Sequence, residues 1–391
     1  MKHFAPNTSP AFTAGIDCLA LPEKFSGAAY YIHHLTRNLL EIERRFAVVI
    51  FCKPRHRHLY QPFLKPGDRV VTPSFKTRAG RILYYEYGLS RRLRREGVDL
   101  FLATHYLCPP RHPAYRIVNT FHDLGFVEHP RYYGWIRRFY FGRRYRTFLE
   151  RADLIFAVSH LTRRSLERRF GERVPPVEVV YPGTDHLADG EPGNGKLNGV
   201  SKPVMLAVNT FEKRKNIPEI IRLFRYLKEV HRFPHQLWLV GQRANGWPEI
   251  RRAIAASPVG ADIVLKEHLS TADLVRCYRQ AELFVNMSAY EGFGFTPMEA
   301  INHNLPAFLF RNAVLDELLP ENPYIFSHLE IEAWGDQIAR ARVNQYRERL
   351  SPDCISQLNW QRSAGKAAAL LEALWSGNLQ KRSRVPSDIA L

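Results

Sequence analysis

Long apolar runs are missing from this chain. No stretch approaches the ~18 residues that a membrane-spanning helix needs. The opening segment, MKHFAPNTSPAFTAG, lacks the apolar core of a secretory signal. Both absences predict a chain that stays in the cytoplasm. Cysteine is scarce as well, with five residues scattered singly at 18, 52, 108, 277 and 354. An odd, unclustered set fits neither a disulfide framework nor a zinc site and predicts buried thiols. No recognition-helix, zinc-finger or ribonucleoprotein motif is present. Acidic residues run short only in the first half. Residues 1–185 hold 31 Lys and Arg against 16 Asp and Glu, while 186–391 hold 25 against 22. That net of +15 predicts an anionic contact for the first half, with nucleic acid, an anionic membrane face and a phosphorylated lipid as candidates.

What is present is a regular alternation. Apolar runs at 46–52, 99–104, 116–124, 153–159 and 177–183 read as strands, separated by helical patterns such as YYIHHLTRNLLEI and ILYYEYGLSRRLRRE. KPRHRHLYQPFLKPGDR reads as a basic loop. Residues 186–201, HLADGEPGNGKLNGVS, are poor in apolar residues and read as a linker. The alternation then restarts with PVMLAV, QLWLVG, ADIVLK and AELFVNMSAY as strands, and closes with a helical pattern at 357–375. Strand–helix alternation on this scale predicts an α/β chain of two doubly wound domains, 1–185 and 202–375, with a tail at 376–391. The last helix is expected to pack back toward the first domain.

The segment from Glu291 to Glu299, EGFGFTPME, joins the strand AELFVNMSAY to a helix. Pro297 suits the first helical position, Thr296 the N-cap and Glu299 the third position, which predicts a capping box. Gly292 and Gly294 let backbone approach a ligand, and the helix N-terminus favours a phosphate. An ordinary strand–turn–helix joint would explain the same residues. In VNTFEKRKNIPEI, Asn216 is the expected N-cap and Glu219 the third helical residue. Arg214 and Lys215 then precede a helix N-terminus, where cations are disfavoured unless an anion binds. An exposed basic turn is the plain alternative.

These stretches resemble the retaining family-4 glycosyltransferases of the GT-B fold, two Rossmann-like domains facing each other across a cleft. E-G-F-G-x-x-x-x-E resembles the family signature, VNTFEKRKN its R-K-N element, VNTFHDL its strand end with a His, and Tyr181–Asp185 its hinge. The resemblance spans about Gly15 to Trp375, and implies hexose transfer from a nucleotide-sugar with no metal. It implies that Arg214 and Lys215 clamp the donor diphosphate with the backbone of Gly292, Phe293, Gly294, Phe295 and Thr296. Ribose hydroxyls would meet Glu299, sugar hydroxyls Glu291, and His122 would face the sugar with Asp123 behind it. Gly27, in the Ser26-Gly27-Ala28 turn, lies where the family has a glycine-rich loop. Asn209, Glu267 and Asn304 depart from it by replacing usual glycines. GDP-mannose is the expected donor, and a UDP-sugar the alternative. The acceptor would be a glycan or a lipid-linked sugar of cell-surface polysaccharide or lipopolysaccharide assembly.

RYYGWIRRFYFGRRYRTFLE, residues 131–150, holds six arginines and eight aromatics. It reads either as a helix whose aromatics pack inward or as a peripheral contact with an anionic membrane at its inner face. A nucleotide-sugar epimerase of the same architecture and a basic nucleic-acid-binding protein remain as other function classes, although no nucleic-acid partner is expected.

Overall fold

The computed structural model describes residues 10–187 and 202–379, apart from positions 24, 26, 76 and 347 and the side chains of 78 and 135–141. Ser26 and most of the expected linker and tail therefore lie outside the described residues. The first domain is a seven-stranded parallel sheet. Its strands are β1 (Thr13–Asp17), β2 (Ala47–Phe51), β3 (Arg69–Val71), β4 (Leu100–Ala103), β5 (Arg116–Phe121), β6 (Leu154–Ala157) and β7 (Val177–Val179), in the order β3-β2-β1-β4-β5-β6-β7. The second is a six-stranded parallel sheet of β8 (Val204–Val208), β9 (Gln236–Val240), β10 (Ile263–Lys266), β11 (Leu283–Asn286), β12 (Ala307–Phe310) and β13 (Ile325–Phe326), ordered β10-β9-β8-β11-β12-β13.

Side chains on a strand alternate between faces, and here both faces are covered. Val48 and Ile50 pack with Leu35 and Leu39 of the helix Ala28–Glu41, whereas Val49 and Phe51 pack with Leu89 and Leu93 of the helix Leu89–Arg95. This is why β2 reads as an unbroken apolar run. In each sheet the chain turns back at its first strand, between β1 and β4 and between β8 and β11. Ligands of such sheets bind in the crevice at the carboxyl ends of the strands there.

Several expectations need correction. β3 begins at Arg69, the last residue of the stretch read as a basic loop, and is not expected from the sequence, since three residues with one buried side chain leave too short a pattern to see. β12, β13 and the helix Ile331–Val343 follow the Glu291 segment without an expected counterpart. His186 and Leu187, read as linker, are packed: Leu187 is buried, and His186 is half-buried with its side chain enclosed where it bonds a carboxylate of the second domain. Four cysteines are buried and unpaired, but Cys354 is exposed. The last helix, Trp360–Ser376, lies on the first domain, where Trp375 stacks on Phe12 and Arg116 donates to the Leu374 carbonyl.

The aromatic-rich stretch forms the helix Trp135–Arg151. Tyr145, Phe148 and Leu149 turn into the core, and Arg144 and Arg151 both pair with Glu86. Its carboxyl-terminal half is thus a domain helix, whereas the side chains of Arg137 and Arg138 lie outside the described residues. Among the described residues no helix is long and apolar enough to cross a membrane.

Candidate active site

The two sheets meet with their carboxyl ends toward one another. Between them lies a cleft of about 810 Å³, lined by the loops that follow β1, β2, β5, β8, β9, β10 and β11. Gly27, His122, Arg214, Lys215, Glu291, Glu299 and the segment Gly292–Thr296 all face it. The fold thus gathers every sequence-derived candidate into one crevice.

Glu291 is the hub. Arg214 Nη1 donates to its Oε2 at 2.8 Å, and Lys215 Nζ pairs with its Oε1. Arg214 also reaches the Tyr290 carbonyl at 2.7 Å and, through Nε, Glu212 at 2.7 Å. The Asn216 side chain holds the Met287 carbonyl at 3.0 Å, tying the two loops together. Burial alone would raise the Glu291 pKa, but Lys215 and Arg214 outweigh it and hold the carboxyl at about 2. Lys215 is only 7% exposed, and burial together with neighbouring Arg214 pulls its ammonium below the usual lysine range. The Arg214 guanidinium is instead raised, since Glu291 and Glu212 outweigh its burial. The triad leaves Arg214 Nη2 without a protein partner among the described residues, so its donors remain open to an anion.

The helix after Glu291 starts earlier than its composition suggests. It spans Phe295–Asn302, and Gly294, at φ +88°, holds the N-cap position. Only glycine takes that conformation without strain, so the cap moves two residues ahead of Thr296. Thr296 Oγ1 accepts instead from Asn286 at 3.3 Å. Glu299, now a turn inside the helix, makes no capping box. Its carboxylate accepts from His186 Nε2 at 3.0 Å and from the Tyr278 hydroxyl at 2.6 Å. Asn216 does hold the N-cap position of the helix Ile217–His231, but in a left-handed backbone conformation (φ +49°) and without a side-chain cap, its Nδ2 donating to the Met287 carbonyl.

His122 contributes from the first domain. Its Nε2 lies 2.9 Å from the Thr104 carbonyl, which can only accept, so Nε2 carries the proton and Nδ1 the lone pair. Burial lowers its pKa to about 4 although part of the ring is open to the cleft, leaving it neutral near pH 7. Asp123, expected behind it, itself lines the cleft and accepts from the Gly125 N–H at 2.8 Å. Gly27, at φ +50°, starts the helix Ala28–Glu41.

Other cleft residues were not among the candidates. Asn209 is buried, and its Nδ2 has no partner. Gln242, Lys266, His268, Ser270 and Thr271 line one end, and Arg55, His56 and His58 the other. The first five sit just past β9 and at or just past the end of β10, on the carboxyl edge of the sheet but to one side of the β8–β11 switch point, so that rule alone does not single them out. Among the other departures, Asn304 adopts φ +59°, a left-handed conformation that Asn tolerates better than most residues, and Glu267 pairs with Arg243 at 2.7 Å.

The architecture is similar to solved glycosyltransferases. Sucrose-phosphate synthase from Thermosynechococcus elongatus superposes with a TM-score of 0.72 at 17% identity, over 94% of this chain and 100% of that one. WaaG, a glycosyltransferase involved in lipopolysaccharide biosynthesis, gives 0.62 at 16% identity, over 92% and 99%. The family profile Glycosyltransferase Family 4 matches residues 25–186, and Glycosyl transferases group 1 matches 195–353. The chain is a GT-B glycosyltransferase. The enzyme is 26% identical over 269 residues to O-antigen chain mannosyltransferase B of Escherichia coli, covering 63% of this chain and 70% of that protein. It is 23% identical over 336 residues to O-antigen chain mannosyltransferase RfbU of Salmonella typhimurium, covering 80% and 89%.

Proposed function

We propose that this glycosyltransferase moves mannose from GDP-mannose to a glycan or lipid-linked acceptor during surface-polysaccharide assembly, with retention at the anomeric carbon. The mannosyltransferase relatives support the donor, and the Arg214–Glu291–Lys215 triad carries the reading of the site. The donor diphosphate lies against the backbone from Gly292 to Thr296, at the amino end of the helix Phe295–Asn302, where free N–H groups and the helix dipole favour negative charge. Arg214 and Lys215 close over it, already oriented by Glu291. Ribose hydroxyls meet Glu299, and sugar hydroxyls meet Glu291 and the Nδ1 lone pair of His122.

In the transfer, the bond from the anomeric carbon to the phosphate oxygen breaks, and the acceptor oxygen bonds that carbon on the same face. The acceptor proton passes to the departing phosphate oxygen, so no separate general base is needed. Charge grows on that phosphate in the transition state, where fixed cations in a partly dry cleft stabilise it most. These cations supply the positive charge, and no metal is assigned a role. The basic first domain keeps the enzyme at the cytoplasmic face of the membrane, where a lipid-linked acceptor resides.

The test is a thermal-shift panel of GDP-mannose, GDP, UDP-glucose and a dTDP-sugar. A donor at a hundred times its Kd stabilises by about 2.7 kcal/mol. A shift with GDP compounds, absent for the others, is the expected result. A shift only with UDP-glucose overturns the choice of donor, and no shift with any of them overturns the site.

A further inference from the structure

β8 and β11, the neighbouring strands where the second sheet turns back, end in a small amide network under the cleft. Asn209 follows β8, Asn286 is the last residue of β11, and both are buried. The backbone fixes which way the Asn286 amide faces. The Ser288 N–H donates to its Oδ1 at 2.9 Å, and an N–H can only donate, so Nδ2 must face the other way. There Nδ2 gives one hydrogen to Asn209 Oδ1 at 3.2 Å and the other to Thr296 Oγ1 at 3.3 Å.

That orientation constrains both neighbours. Asn209 has to present its oxygen to Asn286, which leaves its own Nδ2 buried and without an acceptor. An orphaned donor costs free energy, so folding alone gives no reason to keep this arrangement. Thr296 is constrained in the opposite sense. Its oxygen already accepts a hydrogen bond, so its own hydrogen is left to give, and no described group receives it. A hydroxyl that could serve either way is made a donor here.

Thr296 is half-buried on the cleft wall, as the second residue of the helix Phe295–Asn302. Its hydroxyl thus lies beside the free N–H groups of a first helical turn, where an anion is favoured. Asn286, at 1% exposure, stands behind that wall.

We propose that Asn286, steadied by Asn209, is a positioning residue that commits the Thr296 hydroxyl to donate to a phosphate oxygen of the sugar donor. The proposal rests on the diphosphate site described above and adds a side-chain donor to it. Charge grows on the departing phosphate during transfer, and a hydrogen bond to an ionised oxygen is stronger than one to a neutral group. A hydroxyl free to turn would have to be reoriented at that moment, whereas this one is already aimed.

The experiment is calorimetric titration of the full chain with inorganic pyrophosphate and, separately, with guanosine and uridine. Pyrophosphate reads the phosphate site whichever nucleotide is the donor, and the nucleosides read the remainder. Thr296→Val should weaken pyrophosphate about tenfold, the scale of a hydrogen bond to a charged group, with nucleoside binding unchanged. Thr296→Ser should keep wild-type affinity. Asn286→Asp still accepts from Ser288 but turns an oxygen to Thr296, so the hydroxyl donates inward and pyrophosphate again weakens about tenfold. Its thermal midpoint should hold, because Asn209 can rotate its orphaned Nδ2 onto the new oxygen. The added carboxylate also repels pyrophosphate, so the same change is made in the Thr296→Val chain, where its effect should be smaller. Equal effects in the two backgrounds would mean repulsion alone and overturn the role of Asn286. Wild-type pyrophosphate affinity in Thr296→Val, or an equal loss of nucleoside binding, overturns the hydroxyl donor while leaving the transferase reading intact. A wild-type chain that binds neither probe overturns the diphosphate site, and this proposal with it.

Discussion

The backbone of Gly292 lies against the carbonyl of His122 so closely that a Cβ at Gly292 would stand 1.9 Å from that oxygen. One residue belongs to the loop after β11 and the other to the end of β5, so this is where the two domains touch at the cleft. The contact is fastened on either side. Ser159 Oγ donates to the Gly292 carbonyl at 2.8 Å, and the Leu124 N–H donates to the Tyr290 hydroxyl at 3.1 Å. Glycine is required here for space.

Gly292→Ala should therefore wedge the domains apart. Transfer activity is expected to fall by about a hundredfold, the scale of a 1 Å misplacement of reacting groups. The second domain should still bind GDP, because the Arg214 and Lys215 loop is untouched. Steady-state kinetics beside GDP calorimetry check this, and wild-type kcat/KM in the variant would contradict it.

Lys215→Ala should lose most of kcat/KM, because the variant loses a cation facing the developing charge and frees Glu291 from half of its pairing. Glu291→Gln should lose activity and also about 3 kcal/mol of stability, since it leaves buried Lys215 without a counter-charge and Arg214 with Glu212 alone. The sign of the pH effect follows from the lowered pKa. The Glu291 carboxylate contributes stability that is complete above its ordinary value of 4.5 and is lost as pH falls through about 2. Chemical denaturation of wild type and Glu291→Gln should give a gap that is constant above pH 5 and narrows below 4.5. A gap that widened in acid would contradict the assignment.

Glu299→Ala strands the donors of His186 and Tyr278 in a buried site, so a loss of about 2 kcal/mol should accompany the loss of activity. Glu299→Gln keeps one acceptor oxygen and should recover part of the stability while remaining catalytically impaired. Wild-type turnover in both variants would remove Glu299 from the site.

Glu317 joins the domains at a second place. Its two carboxylate oxygens accept from the His160 and Leu161 N–H groups at 2.7 Å each, and from the Tyr181 hydroxyl at 2.8 Å. The carboxylate of one domain thus satisfies the first-turn donors of the helix His160–Phe170 in the other, and favours its dipole. Glu317→Ala should faster expose those two amides to hydrogen exchange and raise the radius of gyration in solution scattering. Protection equal to wild type would show that the cleft stays shut without it.

The sequence was informative wherever chemistry and periodicity are local. Arg214 and Lys215 stand out because they precede a helix start within a few residues, and Glu291 because two glycines follow it on a strand-to-helix turn. His122 could be picked out only through resemblance, since a histidine at a strand end has many structural uses. The two expected caps fare differently: Asn216 holds the N-cap position but makes no side-chain cap, its Nδ2 being turned to the Met287 carbonyl, whereas Thr296 lies inside its helix because Gly294 takes the N-cap.

By itself, then, the order of residues determined two doubly wound halves, the basic character of the first, and several of the loops that line the cleft. Those follow from short apolar runs alternating with helical patterns, from composition and from the residues at strand and helix ends, all properties of near neighbours. Only the tertiary structure decided that Glu299 bonds His186, that Glu317 holds the helix at His160, and that Gly292 leaves no room beside His122. Each of those partners is more than a hundred positions away, and the packing of two separate sheets, rather than any local pattern, brings them within hydrogen-bonding or van der Waals range.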